Sequence, residues 1–281
     1  MRNFVTMKRV PYPLHPRFLL AILFICIGVT SCDLIEYHPY DGRLDGARHL
    51  TQENIRKIEA LCADKDTIRF AEISDTQRWY DDTEDLIKAI NQRGDIDFVI
   101  HCGDHTDFGL TKEFLWMRNI YQKLSMPYVC LIGNHDCLGT GEDVYQQLYG
   151  DVNFSFDAGF VHFLCLNTNA FEYDYSIAVP DFEYIKTDLH NLCPNAVQTV
   201  VAMHAKPGSE QFNNNVLDYF EYSLNQFPNL KFCICGHNHH TTIEYPFEGG
   251  VPYYQCACAK ERTYLVFTIT RDTYTYEAVK I

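Results

Sequence analysis

Five short segments carry the residues that could do chemistry. They are Ser74-Asp75-Thr76-Gln77, Gly103-Asp104-His105-Thr106-Asp107, Gly133-Asn134-His135-Asp136, Met203-His204 and Gly236-His237-Asn238-His239. Asp, Asn and His offer oxygen and nitrogen donors to divalent cations. Singly, an Asp is most often a helix cap and a His a hydrogen-bonded packing residue. Five such segments, each directly after a β-like run, make coincidence a poor explanation. A pair of close cations needs a bridging carboxylate to offset their repulsion. It also needs ligands from several loops and open positions for water and substrate. The glycines before Asp104, Asn134 and His237 are expected to let the backbone turn sharply at the strand ends. His237 and His239 lie two residues apart, so in an extended segment they point the same way and could reach one cation each.

Those loops must be held by strands, and a strand–helix alternation supplies them. TIRFAEI (67–73), DFVIHC (97–102), YVCLI (128–132), TVVAMH (199–204) and LKFCIC (230–235) read as strands. Helices are expected over 51–64 behind a Thr51 cap, over 82–92, from a Thr111 cap onward, and over 142–149, 181–192 and 214–227. VNFSF and FVHFLCL, separated by Asp157-Ala158-Gly159, read as a hairpin, and the last forty residues hold three or four β-like runs. The pattern is α/β with two packed sheets in one domain, its reactive groups on loops at strand ends.

The chain has 281 residues, 47% of them hydrophobic and 21% charged, with a formal net charge of −14. That composition excludes disorder, collagen and coiled coil as the main architecture. The acidic balance excludes broad, sequence-blind nucleic-acid binding, which needs Lys and Arg against phosphates. Residues 1–17 carry Arg2, Lys8, Arg9 and Arg17 and no acid, and Phe18 to Val29 are apolar. Twelve apolar residues are too few to span a membrane, which takes about 20. This is the pattern of a secretory signal, and Val29-Thr30-Ser31-Cys32 resembles a bacterial lipobox, with cleavage before Cys32 and a lipid on its thiol. The expected organisation is a lipoprotein signal over 1–31, a tether over 32–50 and one domain over 51–281. Export would anchor that domain to a bacterial membrane, on the periplasmic or cell-surface side. Loss of four basic residues takes the mature charge from −14 to −18.

Taken together, the five segments resemble the calcineurin-like metallophosphoesterases, and the resemblance covers nearly all of residues 67–281. It implies a four-layer α/β/β/α sandwich of two mixed sheets and a centre of two divalent ions (Mn, Fe, Mg or Zn) that hydrolyses phosphate monoesters or diesters. By the resemblance Asp104 bridges, Asp75 and His239 serve the first metal, and Asn134, His204 and His237 serve the second. His135 contacts phosphate and protonates the leaving group, with Asp136 as its partner. The family usually has Asp-x-His where this chain has Asp75-Thr76-Gln77. A Gln77 carbonyl in place of an imidazole gives a harder site, favouring Mn, Mg or Fe over Zn. The expected partners are a phosphate-ester small molecule and, through the lipid, a membrane. The alternative is a lipid-anchored binding protein that keeps the fold with weak or no turnover.

Other residues have blander readings. His101 reads as a hydrogen-bonded core residue, His105 as loop packing and His240 as solvent-facing. Trp79 and Tyr80 serve equally well as a substrate wall or as core cover. Asn167 and Asn169 could line the cleft or build a turn. The pairs Cys233/Cys235 and Cys256/Cys258 read as small buried hydrophobes in strands rather than zinc ligands.

Overall fold

The computed structural model describes His38, residues 41–174 and residues 176–281. The signal segment and Cys32 lie outside the described residues. Among the described residues two mixed sheets pack face to face. The first has the order β11-β10-β1-β2-β3. Its strands are β1 (Thr67–Ile73), β2 (Phe98–His101), β3 (Tyr128–Cys130), β10 (Thr263–Thr270) and β11 (Tyr274–Lys280). The second has the order β4-β5-β6-β7-β9-β8. It is built from β4 (Phe154–Ala158), β5 (Val161–Leu166), β6 (Gln198–Met203), β7 (Leu230–Cys235), β8 (Thr242–Glu244) and β9 (Tyr253–Gln255).

Alternation along β1 sorts its side chains. Ile68 and Phe70 face the second sheet, whereas Ala71 and Ile73 face helices. Phe70 stacks on Phe98 and Phe267 at 5.4 and 5.1 Å and meets the edge of Phe163 at 5.3 Å. Burying each such ring contributes roughly 1.5–3 kcal/mol. Helices α1 (Leu50–Cys62), α2 (Tyr80–Arg93), α3 (Thr111–Tyr121) and α4 (Gly141–Leu148) supply apolar faces to the first sheet's outer side, and α1 also reaches between the sheets through Ile58 and Cys62. Helices α5 (Phe182–His190) and α6 (Leu217–Leu224) cover the second sheet. This is the expected four-layer sandwich.

Two expected caps are absent. Thr51 lies inside α1, and its hydroxyl has no hydrogen bond. Thr111 is the first residue of α3 and bonds the Asp41 carbonyl, while Glu113 accepts the Phe108 and Leu110 amides instead. Residues 41–49, within the stretch expected as a tether, lie along the domain. Leu44 is buried against the helices, and Arg118 donates to the Asp45 carbonyl at 2.6 Å. Among the described residues no helix is long and apolar enough to cross a membrane.

Strands β1, β2 and β3 run parallel, as do β5, β6, β7 and β9. Their carboxyl ends therefore share an edge in each sheet, and a parallel bridge from Ser74 to Cys258 and a Gly236 amide bond to the His204 carbonyl tie these ends together. All five reactive segments emerge at these strand ends, where open α/β sheets place ligands.

Candidate metal centre

The backbone at the site is held in costly conformations. Asp75, Asp104, His237 and His239 have φ values of 51°, 63°, 78° and 62°. Left-handed backbone costs a non-glycine residue roughly 1–2 kcal/mol, and such strain collects at functional sites. The segment 237–239 is therefore bent, not extended as expected. The two rings separate all the same. His237 Nδ1 stands 3.1 Å from Asn134 Oδ1, and His239 Nε2 stands 3.3 Å from Asp75 Oδ1. Of the three glycines expected to turn the chain, Gly103 does so, at φ 95°. Gly133 and Gly236 have a different reason. A Cβ at Gly133 would meet Asp104 Oδ1 at 2.1 Å, and one at Gly236 would meet Asp75 Oδ2 at 2.6 Å. Both make room for carboxylates.

The structure brings all seven expected ligands to one place. Ligand atoms of Asp75, Asp104 and His204 all lie within 4.8 Å of one another, and all three residues are buried. Gln77 is buried beside them, its Nε2 donating to Asp104 Oδ2 at 3.3 Å. Asn134 Oδ1 lies 3.0 Å from His204 Nε2 and 3.1 Å from His237 Nδ1.

Whether these residues fit a cation is decided by their unmatched atoms. Among the described residues Gln77 Oε1 is a buried acceptor without a hydrogen bond, and buried Asp75 Oδ1 faces only the His239 ring, at 3.3 Å. His204 Nδ1 donates to the Cys102 carbonyl at 2.7 Å, so the neutral ring turns the Nε2 lone pair inward. His237 Nε2 donates to Glu210 Oε1 at 3.0 Å, so its Nδ1 lone pair faces Asn134 Oδ1. Metal-binding histidines are oriented in this way by an acceptor on the far nitrogen. Buried acceptors thus converge where donors are lacking, an arrangement a cation satisfies. Without one, protons respond. Burial lowers His204, but the Asp104 carboxylate outweighs it and lifts the imidazole to about 9. Burial lowers His237, whereas Asp75 raises His239.

One expected role is corrected. Asp136 does not hold His135. Its buried carboxylate accepts the amides of Gly133, Asp104, His105 and Thr106, each at 2.9 Å, and the Thr106 hydroxyl. Donors on every side suit an ionised carboxylate that locks the β2 and β3 loops together. His135 Nδ1 donates instead to the Asp107 carbonyl at 2.9 Å, leaving Nε2 free. Asp107 carries no signal for that role, since any residue presents a carbonyl. Glu210, which orients His237, lies in a loop after β6 and stands outside every motif.

The lesser residues take their blander roles. Gly103 donates to His101 Nδ1, and His105 Nε2 bonds the Leu131 carbonyl. The protons between them are therefore ordered: His101 Nε2 donates to Thr76, Thr76 to Tyr121, and Tyr121 to His105 Nδ1. This buried chain braces the first two ligand loops. Trp79 and Tyr80 pack on the helix-side core, and His240 is exposed. Asn167 and Asn169 bond each other and Tyr173 in a turn. The ten described cysteines are all free. Beneath the site, Glu72 is wholly buried, and neither carboxylate oxygen makes a hydrogen bond. Burial, with the Asp75 charge adding to it, pushes it well above the usual carboxyl range.

Two sheets between helix layers, with an Asp/Asn/His cluster at the strand ends, are the architecture of the calcineurin-like phosphoesterases. The calcineurin-like phosphoesterase family model matches residues 68–241, and the chain belongs to that family. No curated protein matches the sequence. The fold is similar to that of the purple acid phosphatase PPD1 from yellow lupin (Lupinus luteus) seeds, with a TM-score of 0.57 and 13% identity. That match covers 76% of this chain and 51% of the lupin protein, so this chain spans about half its length. GAP50, described as the anchor in the inner membrane complex of Plasmodium, matches with TM-score 0.55 and 11% identity over 77% of this chain and 85% of its own. PhoD matches with TM-score 0.51 and 12% identity, over 74% and 65%. At these identities the likeness is one of fold.

Proposed function

We infer that this protein hydrolyses small phosphate monoesters or diesters at a centre of two divalent ions. Asp75, Gln77, Asp104 and His239 would hold one, and Asp104, Asn134, His204 and His237 the other. Gln77 gives the first an oxygen-rich donor set suited to Mn, Mg or Fe. The observation that carries this reading is the convergence of the buried Asp75, Asp104 and His204 ligand atoms within 4.8 Å of one another, with Gln77 Oε1 buried and unpartnered among the described residues beside them. Bound ions would offset phosphate charge and lower the pKa of an attacking water.

The chain's own residues do the rest. The Asp107 carbonyl holds the His135 Nδ1 proton, which leaves Nε2 to face the substrate. As the imidazolium, with a second proton on Nε2, it gives that proton to the departing oxygen and is left as the neutral Nδ1–H ring, a step typically contributing 10²–10⁴-fold. Asp136 keeps the two loops in register through its four amides. A fold retained only for binding is a weaker reading, because nothing in binding alone needs an uncommitted His135 Nε2 beside the cluster.

Full-length protein supplied with manganese should hydrolyse an aryl phosphate. Asp104→Asn should abolish turnover and at least halve the bound metal measured by elemental analysis. Unchanged turnover and metal content would sink the assignment. We also hold to export and lipid anchoring through Cys32, on the basic start, short apolar run and small residues before it. Cells fed a labelled fatty acid should mark the wild-type chain, and a label that persists in Cys32→Ala refutes the anchor.

A further inference from the structure

We propose that Arg78 binds a second oxyanion on the leaving-group side of the substrate, so that the site prefers phosphate esters carrying another phosphoryl group. This rests on the phosphoesterase reading above.

Position comes first. Arg78 directly follows Gln77, and its guanidinium grips Asp107 Oδ1 through Nε at 3.1 Å and through Nη2. The same residue's carbonyl holds His135. Asp107 therefore ties the leaving-group acid and one cationic side chain into a single unit. The arginine thus shares Asp107 with His135, the acid that serves the leaving group in the reaction proposed above.

Backbone strain comes second. Arg78 has φ 59°, in the same left-handed region as Asp75, Asp104, His237 and His239. An exposed ion pair is too weak to offset such strain by itself, and this side chain is 55% exposed. Strain without a structural return is a mark of function.

Availability comes third. Nη1 of Arg78 has no hydrogen-bond partner among the described residues, and the planar fork suits a phosphoryl group. Neighbouring cations are committed elsewhere. Lys206 pairs with Glu244 at 2.9 Å, Lys260 sits over the Trp79 ring at 5.2 Å, and Arg262 bonds Asp82 and Asp85. On a chain of net charge −14, an exposed arginine fixed on Asp107 beside the His135 anchor suits the far end of a doubly phosphorylated substrate.

The test is a pair of non-hydrolysable probes, methylphosphonate and methylenediphosphonate, titrated calorimetrically into the full-length protein. The same manganese excess in every cell makes chelation of each probe identical for all variants. Wild type should bind the diphosphonate at least tenfold more tightly than the monophosphonate. Arg78→Gly should shrink that ratio below about threefold, and glycine accepts the backbone conformation without strain. Arg78→Lys, which keeps charge but not the fork, should fall between. A ratio that survives in Arg78→Gly overturns the proposal. So does a wild type that binds manganese and methylphosphonate but shows no preference, and in that case the phosphoesterase reading stands. A wild type that binds neither manganese nor either probe overturns both.

Discussion

Replacing Glu72 by Gln should change the stability of the protein by an amount that depends on pH. Glu72 lies at the top of the inter-sheet core, wholly buried, and neither carboxyl oxygen makes a hydrogen bond. Burial raises its pKa well above the ordinary value, so the folded chain keeps the proton while the unfolded chain releases it above about pH 4.3. The sign follows from linkage. Between those two points the folded state binds more protons, so stability is fullest below about pH 4.3 and falls as pH rises towards the folded pKa. The slope for one proton is at most about 1.4 kcal/mol per pH unit, so about 2.7 kcal/mol is the ceiling between pH 5 and pH 7.

Glutamine has nearly the same shape and no proton to release. Any constant difference between acid and amide burial shifts the two curves without tilting them. The difference in unfolding free energy between Glu72→Gln and wild type should therefore grow in favour of the variant from pH 5 to pH 7, by up to about 2.7 kcal/mol. Urea unfolding followed by tryptophan fluorescence, with chelator and reductant present, measures it, and all other titrating groups cancel in the comparison. A difference that stays flat across those two units would refute the buried, protonated carboxyl.

Two further predictions concern the site. His135→Gln should lower kcat by about 10²–10⁴ because the proton donor is gone. Metal content should stay unchanged, since His135 is outside the ligand set, and lost metal in elemental analysis would contradict that separation. Gln77→Ala should weaken the metal position shared by Asp75 and His239 by about 10–100-fold, the range seen when a supporting metal contact is lost. Manganese titration at equilibrium reads this directly, and an unchanged affinity would mean that Gln77 Oε1 serves no cation.

The legible part of this protein is the part that chemistry forces into side-chain types. A cation cluster demands Asp, Asn and His, so Asp75, Asp104, Asn134, His204, His237 and His239 stand out in the sequence, and the alternation of strands and helices places them at strand ends. The illegible part is carried by the main chain. His135 is oriented by the carbonyl of Asp107, and His204 by the carbonyl of Cys102, and every residue type has a carbonyl to offer. Asp136 shows the converse. Its neighbour in sequence is His135, yet four amides from two loops claim its carboxylate, and no spacing rule announces that. Glycine spacing misleads in the same way. Gly133 and Gly236 look like turn residues, but they are small because Asp104 and Asp75 fill the space a Cβ would take. Arg78 extends the point to specificity. Nothing in its type distinguishes it from other surface arginines, and only its left-handed backbone and its grip on Asp107 place it with the reactive groups. The ligands that must be particular side chains are thus readable one by one, while the geometry that aims them exists only once both sheets have closed.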